Sequence, residues 1–165
     1  MLSPEQIIEQ AEKKGLALEV EISPKVGAVC SDRRRVEQVL LNLLSNAIRY
    51  TPDGGQVMVT ADIDADGCLD VAIIDNGSGI ADRLLPLLFS PFGIKAAHIA
   101  DTGPQGRSST GLGLSICKGL LEVMGGDLKI ESEFGVGTIV IVRVPLHAPG
   151  KPLQDNVPER RHEVA

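Results

Sequence analysis

Two side-chain amides, Asn42 and Asn46, interrupt the most helix-like apolar stretch of this chain, V-E-Q-V-L-L-N-L-L-S-N-A-I-R-Y. Residues four apart share a helical face, so Gln38, Asn42 and Asn46 form one polar stripe. Leu40, Leu41, Leu44, Ala47 and Ile48 cover much of the remaining circumference and are expected to be core. A helix apolar over most of its surface has to lie inside the fold. Each buried amide left without a partner would cost about 1–3 kcal/mol. The fold must therefore bring other polar groups to this stripe.

The flanking sequence reads as an α+β domain. Ser3, Pro4 and Gln6 form a helix start, with Ser3 as N-cap, and Gly15 stops that helix after about Lys14. Residues 16–22 alternate as a half-buried strand does, and 28–30 allow a further short one. Asp32 caps the amide-bearing helix, which runs to about Tyr50. T-P-D-G-G at 51–55 is a turn, and 56–64 and 68–74 form an antiparallel pair around A-D-G. Residues 81–88 read as a short helix broken by Pro86, and 111–124 as a longer one ended by Gly125 and Gly126. A final hairpin, 127–132 with 138–144, turns at G-V-G. Strands and helices mix without strict β-α-β alternation, so helices layered on one largely antiparallel sheet are expected.

Composition narrows the functions. Aromatic residues are 2% of the 165 and the net charge is −6, which argues against stacking on single-stranded nucleic acid and against anionic surfaces. Cys30, Cys68 and Cys117 are widely spaced with no C-x-x-C, which suits buried thiols in a reducing cytosol better than a disulfide or zinc framework. No apolar run reaches membrane-spanning length.

Two glycine motifs suggest a ligand. V-A-I-I-D-N-G-S-G-I is a buried strand ending in Asp75, placed to accept from an exocyclic amine, with Gly77 and Gly79 letting backbone approach a ring. The same D-N-G is also an ordinary turn signal. T-G-L-G-L, from Thr110, opens a helix after a loop, where free N–H groups and the helix dipole make a phosphate site. It reads equally as a hinge before a core helix. Residues 89–110 join the two motifs as a long irregular loop, suited to a lid rooted by Phe89 and Phe92. Lys95, Arg107 and Arg49 supply cations. Phosphate, magnesium and water are thus candidate partners for the amide stripe.

Taken together these segments resemble sensor histidine kinases. N-L-L-S-N-A-I-R-Y from Asn42 resembles their N box, D-N-G-S-G-I from Asp75 the G1 box, and F-S-P-F from Phe89 the F box. T-G-L-G-L-S-I-C-K-G from Thr110 resembles the G2 box, followed by M-G-G-D-L-K-I-E-S from Met124 and G-V-G-T ending at Thr138. The resemblance covers residues 15–146. It implies the Bergerat fold of gyrase-type and chaperone ATPases: a two-layer α/β sandwich with about three helices on one face of a mixed, mostly antiparallel sheet.

By position the resemblance implies that Asn46 ligates magnesium and that Asn42 lies near metal and phosphates, the two being the catalytic pair. Arg49 and Tyr50 would approach phosphates or ribose. Asp75 would bind the adenine amino group, with Gly77, Gly79, Ile80 and Thr138 beside it. Gly111, Leu112, Gly113 and Leu114 would wrap the phosphates, with Phe92 and Lys95 from the F-box region. Gyrase-like relatives carry a water-activating Glu where this chain has Asn42, so the γ-phosphoryl of Mg-ATP is expected to pass to a histidine instead. Phe92 is followed by Gly93 rather than the family's Tyr-Arg pair, and Ser108-Ser109 replaces a usual glycine.

The implied chain is an ATP-dependent protein-histidine kinase of a two-component phosphorelay, acting on a separate helical dimerisation domain of a homodimeric parent and feeding a response regulator. His98, His147 and His162 are read as non-acceptors. Residues 1–15 would be the connector from that helical domain, 16–146 the catalytic domain and 147–165 a tail or linker. The expected location is cytoplasmic, with the parent soluble or anchored in an inner membrane. Two alternatives share these motifs: a kinase-inactive nucleotide-sensing module, and an anti-sigma-type serine kinase.

Overall fold

The computed structural model describes residues 3–90 and 112–146. The expected capping box opens the first helix, α1 (Pro4–Lys13): the Ser3 amide donates to Gln6 Oε1 at 2.8 Å and the Gln6 amide donates to Ser3 Oγ. Helix α2 (Arg33–Tyr50) starts at Asp32, whose carboxylate accepts from the Arg35 amide. Helix α3 spans Gly113–Val123. The segment around Pro86 is a 3₁₀ helix, Asp82–Leu87, rather than a broken α-helix. Proline lacks the N–H that an interior α-helical turn requires.

Among the described residues, five strands form one sheet: β1 (Ala17–Ile22), β2 (Gln56–Ile63), β3 (Cys68–Asp75), β4 (Asp127–Glu133) and β5 (Gly137–Pro145), in the order β1-β2-β3-β5-β4. Only the β1–β2 pairing is parallel. Strand register fixes which residues share a face. On the inner face, Val59, Ile73, Val140 and Ile130 make one cross-sheet row, and Ala61, Val71, Val142 and Leu128 the next. One end row departs from this pattern. There Val57 is followed by Asp75, Thr138 and Ser132, so three polar side chains border an apolar layer.

The helices cover this face. Val39, Leu43, Ala47 and Ile48 of α2, Cys117 and Leu121 of α3, and Ile7 and Ala11 of α1 join Val57, Val71, Ile73 and Val142 in one core. Leu40, Leu41 and Leu44, expected at its centre, are half-buried and pack against its margin. The helix is rotated so that its Val39–Leu43 side meets the sheet.

Three further expectations fail. Every residue of β1 is exposed, although residues 16–22 alternate like a half-buried strand. Leu18, Val20 and Ile22 pair with Val57, Val59 and Ala61 and share the inner face, but at the sheet edge the helices do not reach them; Val20 is 65% exposed. Residues 28–30 form no strand, and Cys30 is exposed where a buried thiol was expected. The other two cysteines are half-buried (Cys68) and buried (Cys117), and all three are free.

This layering predicts unequal mutational costs. Leu43→Ala should lower unfolding free energy by about 2–5 kcal/mol in urea titrations. Val20→Thr at the bare edge should change it by less than about 0.5 kcal/mol.

Candidate active site

The polar end row holds two of the candidate site residues, Asp75 and Thr138. Asp75 is the last residue of β3, and its carboxylate accepts from the amides of Gly77, at 2.9 Å, and Thr138. Burial pushes its pKa up from the ordinary carboxylate value, and the two amides oppose that rise. Ser132, on the edge strand β4, is the hub. Its Oγ accepts from the Ile80 amide at 2.9 Å and donates to the Gly137 carbonyl at 2.9 Å. With that proton used, the Thr138 hydroxyl, 2.9 Å away, donates to Ser132. Ser132 was not singled out from sequence; only the cross-strand register places it opposite Thr138.

The glycines after Asp75 turn out to be crowded by protein. Gly79 has φ +62°, and a Cβ there would collide with the carbonyl oxygen of Glu133. A Cβ on Gly77 would come within 2.7 Å of both Asp75 Oδ1 and the Tyr50 carbonyl oxygen. Their first service is thus to seat the loop between β4 and the end of α2. Two backbone bonds lock it there, Ser78 N–H to Tyr50 O at 3.2 Å and Gly135 N–H to Ser78 O at 2.8 Å.

Further candidate residues stand on α2 and α3. A Cβ on Gly113 would lie 3.8 Å from Asn46 Nδ2, so Asn46 faces the start of α3. One turn back on α2, Asn42 hydrogen-bonds Cys117, one turn on along α3. The two helices therefore run antiparallel with Asn42 and Asn46 of the stripe on α3. Burial pushes the Cys117 thiol up to about 11 despite the Asn42 contact, so it is neutral at physiological pH. Its Sγ lies 3.8 Å from the Val39 carbonyl.

Other candidate residues fall as follows. Leu112 is the N-cap of α3 and its carbonyl accepts from Ser115 Oγ, while the Leu114 side chain packs on the core; each has only backbone for a phosphate. Tyr50 is 46% exposed and Arg49 half-buried beside it at the end of α2. Phe92, Lys95 and Gly111 lie outside the described residues, as do His98, His147 and His162.

Comparison with known proteins decides what this frame is. The family model described as histidine kinase-, DNA gyrase B-, and HSP90-like ATPase matches residues 31–148. The chain belongs to that family. Within it, the chain is an ATP-binding catalytic domain of the sensor histidine kinase type. It is 39% identical over 137 residues to histidine protein kinase DivJ of Caulobacter vibrioides, covering 83% of this chain and 22% of that kinase. The catalytic domain of histidine kinase ThkA superposes with a TM-score of 0.68 at 28% identity, over 84% of each chain. Full-length ShkA, solved with AMPPNP, gives a TM-score of 0.73 at 27% identity, over 90% of this chain and 30% of that one. The chain spans between 7% and 26% of the length of the curated relatives it matches.

The raised Asp75 pKa makes a signed prediction. The folded state holds this proton more tightly than the unfolded chain does, so ionisation of Asp75 costs stability as pH rises through its native pKa. Asp75→Asn should therefore melt at a higher temperature than the parent at pH 7. The gap should close below the ordinary value of 3.8, where both states are protonated. Thermal melts across pH check this; a lower melting temperature at pH 7 contradicts it.

Proposed function

We propose that this domain binds Mg-ATP between the Asp75 row and the α2–α3 wall and delivers the γ-phosphoryl to a histidine on a separate helical domain of its parent. The observation that carries the proposal is the pairing of a half-buried acid held by backbone amides, Asp75, with a carboxamide, Asn46, set against a glycine-started helix. Asp75 accepts from the adenine amino group, a contact that a carboxylate makes well and a carboxamide in the wrong flip does not. The N–H groups at the start of α3 face the phosphates, favoured by the helix dipole.

Asn46 fits a magnesium site of the kind filled mostly by phosphate oxygens and water. Its side-chain oxygen is a hard, neutral donor at a half-buried position. Among the described residues no group of three or more His, Cys, Asp or Glu is placed to hold a metal, which suits an ion carried in by the nucleotide. Bound magnesium would neutralise charge on the phosphate oxygens. Asn42 and its neighbour Cys117 supply no base for water, since one is an amide and the other a protonated thiol. That favours transfer over hydrolysis.

The partners proposed are the parent's own dimerisation and phosphoacceptor domain and a response regulator. The stretch ahead of residue 16 is proposed as the connector to the former. No helix among the described residues is long and apolar enough to cross a membrane.

Titration with ATP and magnesium should show Asp75→Asn weakened by at least about tenfold and Asn46→Ala losing most of its magnesium dependence. If Asp75→Asn binds like the parent, the adenine assignment is wrong. Incubating the domain with labelled ATP and the parent's separately made helical domain should give acid-labile phosphohistidine. Acid-stable label would instead indicate a serine kinase, and absence of label a binding module.

A further inference from the structure

Helix α2 ends with its carbonyls aimed at other parts of the chain, and each of the last ones has a donor. The Ala47 carbonyl accepts from Thr51 Oγ1 at 2.7 Å, and that threonine is 1% exposed. The Tyr50 carbonyl accepts from the Ser78 amide. The remaining three, those of Ile48, Arg49 and Thr51, all accept from one side chain: Lys14 Nζ, at 2.7 Å to Ile48, 3.3 Å to Arg49, and in close contact with Thr51. An ammonium has three protons and no acceptor, and here each proton has a carbonyl. A cation is also the charge that a helix C-terminus favours.

Lys14 is the C-cap residue of α1, and its own carbonyl accepts from the Gly54 amide at 2.8 Å. It thus ties α1 to the last turn of α2 and to the turn that follows. That last turn bears Arg49 and Tyr50 and begins one turn after Asn42, with Asn46 at its head. Through Tyr50 it also holds the loop carrying Gly77 and Gly79. Lys14 lies ahead of the span, residues 31–148, that the family model matches.

We infer that Lys14 is a positioning residue for nucleotide binding: it clamps α1 to the carbonyl end of α2, and so sets Asn46 and the Asp75 loop together. The inference rests on the site proposed above. Without the ammonium, three part-buried carbonyls lose their donor and the last turn of α2 can fray. Fraying releases Tyr50 and the Ser78 bond at the same time. Any shift of α1 relative to α2 is then felt on both sides of the site.

The test uses the whole chain titrated with ADP and magnesium chloride, beside thermal melts and amide exchange. Lys14→Met should weaken ADP binding by roughly tenfold, the weight of one or two charge-assisted hydrogen bonds, and speed exchange of the Ser78 amide. Lys14→Arg, which keeps a cation with several donors, should recover most of the affinity. Ile7→Val loosens the packing of α1 without touching these carbonyls and should leave affinity near that of the parent despite a lower melting temperature. The clamp is overturned if Lys14→Met binds ADP like the parent, or if Ile7→Val weakens binding as much. A loss with Asp75→Asn but none with Lys14→Met refutes the clamp alone. Parent-like binding by Asp75→Asn refutes the site itself.

Discussion

Packing α2 between the sheet and α3 is the constraint to which the rest of this domain answers. Its Val39, Leu43, Ala47 and Ile48 side meets the sheet, and the adjoining amide stripe falls on α3. The amides are half-buried rather than sealed in, and that sharply reduces the desolvation cost a fully enclosed pair would carry. Asn42 has its hydrogen bond to Cys117. Asn46 sits at the edge, where a ligand oxygen or water can reach it. An apolar helix and a polar site are thus made compatible by a rotation of the helix axis.

The sheet solves the matching problem on its side. Leu69, Val71 and Ile73 of β3 keep the core dry, and the polar inner-face residue of that strand, Asp75, comes last, opposite Thr138, which in turn pairs with Ser132. Burial makes the Asp75 charge costly, and the amides of Gly77 and Thr138 offset only part of that cost. A carboxylate held in an unfavourable place is a group that gains by receiving donors from a ligand. Under the proposed function, a ligand that donates to Asp75 would recover part of the stability given up there.

Local chemistry was legible in the sequence. The Ser3 capping box, the Asp32 N-cap, the A-D-G turn and the glycine stops rest on contacts within a few residues, and they stand where the pattern put them. The five ordered motifs likewise point to the family that the comparisons show. What failed or stayed hidden depends on distant neighbours. Alternation at residues 16–22 shows that a strand has two faces, but whether a helix covers one of them is decided elsewhere. Helical pitch groups Leu40, Leu41 and Leu44 together without saying which side meets the sheet. Ser132 becomes a hub only through strand register, and Lys14 reaches carbonyls 34 to 37 residues away. No window of sequence contains such a contact.

The account's central claim is that the α2 amide, the start of α3 and the loop after Asp75 serve one nucleotide. Amide chemical shifts followed by NMR during a titration with ADP and magnesium test it most directly. The side-chain amide of Asn46 and the backbone amides of Gly77 and Gly113 should shift together with one common midpoint. Separate midpoints, or movement at Gly77 while Asn46 and Gly113 stay still, would contradict it.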